Sequence, residues 1–121
     1  MAVRMQDRDG RGPFAPGLTR HWKRDEAPLL PPFFVELGID PLEVPKRFPA
    51  NGGWIGCACD GWKQFYQWFS LYEITTLSNL GFAAVEFEPD EILVVTPTQL
   101  VFRHMSPLSS LCRPPLPHGG E

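Results

Sequence analysis

At 121 residues with a net charge of −3, the chain has room for one domain, and its 43% hydrophobic and 21% charged content is that of an ordinary globular protein. No apolar run approaches the ~20 residues that span a bilayer, and the charged stretch from Met1 to Arg11 has no apolar segment behind it. Neither a membrane protein nor a secretory leader is expected, and the 14 prolines and 11 glycines exclude a long coiled coil or a repeat array.

Residues 1–17 carry Gly10, Gly12, Pro13, Pro16 and Gly17 among alternating charges and predict a mobile arm, or one tied down only by Phe14. Residues 18–104 predict a single α+β domain, and residues 105–121, with Pro107, Pro114, Pro115 and Pro117, a proline-rich irregular tail. Phe33–Leu37, set between Pro32 and Gly38, predicts a helix of one to two turns. Asp40-Pro41-Leu42-Glu43 places a capping Asp before a proline and an acidic residue in the first turn; Pro45 is expected to end that turn. Trp54–Cys59 predicts a short strand.

Asp60 is placed to cap a helix from about Gly61 to Leu80, with Gly81 as its stop. Within it Trp62, Phe65, Tyr66, Phe69, Tyr72, Thr76, Leu77 and Leu80 recur at three- and four-residue steps, and only Lys63 and Glu73 are charged. Such a helix belongs at the centre of its domain. From Phe82 to Phe102 the pattern predicts three strands, with turns at Glu88-Pro89-Asp90-Glu91 and Thr96-Pro97-Thr98. The expected architecture is one long aromatic helix packed on an antiparallel three- to four-stranded sheet. With Trp54–Cys59 in that sheet the core reads β-α-β-β-β.

Charge is unevenly placed. Residues 1–24 carry a surplus of +4, residues 25–102 a balance of −8, and residues 103–121 return +1. An acidic body repels nucleic-acid phosphate and favours encounter with a basic protein surface. Glu86, Glu88, Asp90 and Glu91 concentrate that charge at one predicted hairpin and are the candidate binding residues. Acid–base catalysis by such a cluster requires burial, and an exposed strand face and turn predict solvated carboxylates instead.

Cys57 and Cys59 are two residues apart on a strand and are a weak candidate metal pair, which Cys112 and His104 could complete. Cys-x-Cys departs from the usual zinc-hairpin spacing, so the expectation is buried free thiols and no metal. Three cysteines point to a reducing, cytoplasmic compartment. Gly52-Gly53-x-x-Gly56 lacks the Lys-Ser/Thr of a phosphate loop, and Arg20-His21-Trp22 has no visible catalytic partner.

Leu80-Gly81-Phe82-Ala83-Ala84-Val85-Glu86-Phe87, followed by Glu91–Val95, Pro97 and Gln99-Leu100, resembles the closing strands of small phage and bacterial ADP-ribosyltransferase-like domains over roughly residues 52–103. That resemblance implies a split sheet that binds NAD, with Arg20 or His21 as the early NAD-contacting residue and Glu86 as the acidic catalyst.

The leading expectation is a non-catalytic module without cofactor that binds a protein partner through a basic surface of that partner. In size and charge it is similar to phage-encoded inhibitors of bacterial defence, anti-CRISPR proteins among them. The alternatives are the NAD-binding enzyme and a structural subunit that uses Trp62, Trp68 and the second helix face as an interface.

Overall fold

The computed structural model describes residues 1–14, 18–23 and 30–112. Its strands are β1 (Ala2–Gln6), β2 (Trp54–Ala58), β3 (Ala83–Phe87), β4 (Glu91–Val95) and β5 (Leu100–His104). Its α-helices are all short: α1 (Thr19–Trp22), α2 (Phe33–Glu36), α3 (Val44–Arg47), α4 (Trp62–Trp68) and α5 (Leu71–Asn79). Three-residue and five-residue 3₁₀ segments lie at Pro41–Glu43 and Leu108–Cys112.

The α+β class stands, but the expected long helix is two helices. Phe69 is extended (φ −134°, ψ 125°), and the chain restarts at Ser70. There the Glu73 N–H donates to Ser70 Oγ (3.1 Å) and the Ser70 N–H donates to Glu73 Oε1 (3.0 Å), a reciprocal cap that ends one helix and begins the next. Nor does Asp60 cap the first. Gly61, at φ 92°, is the N-cap, and the Asp60 N–H donates to Gln64 Oε1 (2.6 Å). Gly81 is the stop as expected: at φ 95° it turns the chain so that Phe82 N–H donates to Leu77 O (2.9 Å). Pro45 does not end the turn at Asp40, because it falls in the first turn of α3, where its missing N–H leaves nothing unpaired.

The three closing strands do not form one meander. β4 and β5 make the expected hairpin, and β2 joins them, in the order β2-β5-β4. β3 instead pairs antiparallel with β1 in a separate two-stranded sheet, Val3 opposite Glu86. The stretch expected as an arm therefore supplies a buried strand. Among the described residues one backbone bridge joins the two sheets, where Val3 N–H donates to Cys59 O (2.9 Å) and Cys59 N–H to Val3 O (2.7 Å).

β1 lies between two apolar clusters. Val3 and Met5 pack with Trp22, Phe65, Phe69 and Leu77 of the helical side. Ala2 packs with Ala58, Phe87, Leu100 and Phe102, under Leu108 and Leu111. The segment 105–112 thus lies partly on the body; the remaining tail residues fall outside the described ones.

Candidate functional site

The acidic residues stand at the corner between β3 and β4, all exposed, and each has a partner within the chain. Glu86 Oε1 accepts from Trp62 Nε1 (2.8 Å). Glu88, whose side chain is 79% exposed, lies 3.4 Å from the Met1 ammonium. Asp90 Oδ2 accepts from the Met105 N–H (2.7 Å) and sits 3.3 Å from His104 Nδ1 without an aligned hydrogen bond. Glu91 pairs with Arg103, which also donates through Nε (3.0 Å) and Nη2 (2.7 Å) to Pro49 O. The ion pairs of Glu88 and Glu91 reach the surface and are worth about 0–1 kcal/mol each, so a competing cation can replace them. Next to them β4 is an edge strand, with Ile92 51% and Val95 54% exposed and a bulge between Ile92 and Val94.

The two tryptophans expected as an interface are engaged in the chain itself. Both are partly buried; Trp62 donates to Glu86 and Trp68 Nε1 donates to Thr98 O (2.8 Å). Leu71, Tyr72 and Tyr66 are the exposed apolar residues of this pair of helices.

Cys57 and Cys59 are free thiols, and burial pushes both up to about 12. Metal binding and nucleophilic attack both need the thiolate, which that environment disfavours. Among the described residues no three His, Cys, Asp or Glu side chains gather around a point. The side chain of Cys112 lies outside what the structure describes, as does that of Arg20. His21 is exposed on α1, and among the described residues no hydrogen bond or ion pair joins it to Glu86.

Two features escaped the sequence reading. The first is a clasp: Glu36 Oε1 accepts from Thr96 Oγ1 (2.6 Å), Thr98 Oγ1 (2.9 Å) and Gln99 Nε2 (3.1 Å), tying α2 to the β4–β5 turn. Burial raises the Glu36 carboxyl, but the hydrogen bonds from Thr96, Gln99 and Thr98 outweigh it and leave it below the ordinary carboxylate range. The only advance sign was a turn rich in Thr.

The second is a cavity of about 500 Å³ where β1 and β2 part, lined by Val3 to Met5 on one side and Cys57 to Cys59 on the other. Phe33, Phe34, Trp68 and Phe69 give it aromatic walls, and Gln99 reaches it from the clasp. Arg4 is in its wall. No pattern in the sequence brings residues so far apart together.

Among the described residues no helix is long and apolar enough to cross a membrane. Comparison of the chain with protein-family models, with curated proteins and with solved structures gave no match.

Proposed function

We propose that the chain is a non-catalytic protein-binding module that offers the free edge of β4 and the adjoining carboxylates to a basic segment of a larger assembly. The observation that carries this reading is the edge position of β4, with Ile92 and Val95 more than half exposed beside Glu88, Asp90 and Glu91. An extended partner segment can add to such an edge through its backbone, while the carboxylates select Lys or Arg. The bulge in β4 shortens the available edge and also guards it against self-association. A small acidic body of this kind suits an inhibitor that covers a basic surface, the anti-defence type of phage protein being one form of it.

A photo-crosslinking residue placed at Ile92 tests this, with the same residue at exposed Leu42 as the control. The partner should be captured from position 92 and not from 42, and Glu88→Lys should weaken capture. Equal capture at both positions, or capture indifferent to Glu88→Lys and to salt, would overturn it.

A second reading, the ADP-ribosyltransferase-like enzyme, is favoured by one observation: two sheets that meet at the Val3–Cys59 bridge and leave a cavity between them. In that reading Glu86 is the acidic catalyst. Calorimetry with millimolar NAD decides it, since the absence of heat removes the enzyme.

A further inference from the structure

Arg4 brings a positive charge into the wall of the cavity, and among the described residues no carboxylate forms an ion pair with it. Its Nε donates to Gln6 Oε1 (2.8 Å), Nη1 to Cys57 O (2.6 Å) and Nη2 to Gly10 O (3.0 Å), all neutral oxygens. A guanidinium has five N–H donors and keeps its proton in proteins, so one N–H on each terminal nitrogen remains. Asp7 acts on it through its field, but Asp7 Oδ1 is occupied by the N–H groups of Asp9 and Arg11, both at 2.9 Å. Burial lowers the Arg4 pKa, the sign of a charge held away from water. Arg4 is partly buried, and a cation drawn out of water in this way is stabilised by an anion that meets it.

The space beside Arg4 has the size and lining of a small-molecule site. Its volume, about 500 Å³, falls in the range of ligand pockets, and rings from α2 and the α4–α5 junction face it.

We propose that this cavity binds a small monocarboxylate with a planar aromatic body, its carboxylate meeting Arg4 and its ring lying among Phe33, Phe34, Trp68 and Phe69. The site uses neither β4 nor Glu88, so it stands or falls independently of the protein-binding reading. Arginine matches a carboxylate better than any neutral group, and the aromatic walls favour a flat ring over a flexible chain.

The probe is 2-naphthoate, with 2-naphthamide as its uncharged counterpart, titrated against the full chain by calorimetry. Naphthoate should bind saturably at sub-millimolar concentration and the amide about tenfold more weakly. Because Arg4 also holds β1 to its neighbours, its variants can unfold the chain, and Gly12→Phe serves as the second test. Gly12 lines the cavity, and a Cβ there would meet nothing within 4 Å. This variant should keep the wild-type melting temperature and lose at least about tenfold in naphthoate affinity. Absence of saturable binding, equal affinity for acid and amide, or unchanged binding in a folded Gly12→Phe would each overturn the proposal. Tighter binding of NAD, displacing naphthoate, would also overturn it and give the cavity to the second functional reading.

Discussion

Ser70 and Glu73 cap each other, each side chain accepting the other's backbone N–H, and this exchange divides the aromatic stretch into two helices. Ser70→Ala removes one half of it and leaves the Glu73 N–H without its hydroxyl acceptor. The cost of losing such a cap is about 1 kcal/mol, which for a domain of this size lowers the melting temperature by roughly 4 °C. Urea denaturation of the variant measures it. A loss near zero would mean that helix packing alone sets the break.

Glu73 has a second role. Its carboxylate is fully buried and lies 2.9 Å from Lys23 Nζ, joining the end of α1 to the start of α5. Removing one partner of a buried pair costs about 3–5 kcal/mol, more than the cap alone. Glu73→Gln should therefore destabilise the protein more than Ser70→Ala does, since the amide oxygen can still accept the Ser70 N–H but cannot answer the ammonium. Equal losses in the two variants would assign the whole effect to capping.

Much of the local structure was legible and much of its assembly was not. Gly38 and Gly81 mark helix ends where the sequence puts them, and the apolar runs Ile92–Val95 and Leu100–Phe102, separated by the turn at Thr96-Pro97-Thr98, give the β4–β5 hairpin. Ser70-Leu71-Tyr72-Glu73 was a readable capping box, but the aromatic three- and four-residue steps run across it without interruption because α4 and α5 bury similar faces. β1 was hidden for a different reason. Val3-Arg4-Met5-Gln6 does alternate, but the run is short and set among charges, and Arg4 and Gln6 look like solvent-exposed residues although both faces of the strand are covered. Their polar groups are satisfied by partners remote in sequence: Cys57 O for Arg4 and, through Gln6 Nε2, Leu108 O (2.8 Å). The candidate carboxylates lie at a corner between two sheets and not at the expected hairpin, and their partners Met1, Trp62, His104 and Arg103 become visible only once the strands are placed.

Glu36 should give the protein an acid-sensitive contact. Its folded pKa is depressed below the ordinary 4.5. The stabilisation is therefore complete above that value and is lost as pH falls through the lower folded pKa. Compared with Glu36→Gln across pH 7 to 3, the wild type should hold a stability advantage near neutrality that shrinks only on the acid side of about pH 4.5. An advantage that persists unchanged at pH 3 would show that the hydrogen bonds to Thr96, Thr98 and Gln99 do not depend on the charge.

Cys57 and Cys59, with pKa values raised from 9.0 to about 12, should react with a thiol reagent about a thousandfold more slowly than an ordinary cysteine at neutral pH. In a Cys112→Ser background neither should be labelled by iodoacetamide until denaturant is added. The linkage has the opposite sign to that of Glu36: the neutral thiols favour the folded state below pH 9 and withdraw that support as pH rises further. Rapid labelling of the folded protein would mean that β2 opens locally.

Gly10 and Gly12 are neighbours with opposite tolerance. At Gly10 φ is +85°, and a Cβ would stand 2.8 Å from the backbone nitrogen of Ser109 and 2.9 Å from the carbonyl carbon of Leu108. Those are main-chain atoms of the segment that covers the second apolar cluster, so they cannot step aside as a side-chain tip could. The Gly10 carbonyl also accepts from Arg4 Nη2, so a shift here loosens the guanidinium as well. Gly10→Ala should cost on the order of 1–3 kcal/mol from strain and overpacking, whereas Gly12→Ala, entering open space at an ordinary φ, should stay within about 0.5 kcal/mol of wild type. Denaturant midpoints of the two variants decide this. Equal tolerance would place the 3₁₀ segment at Leu108–Cys112 farther from the β1 turn than described, and with it the support that fixes Arg4 in the cavity wall.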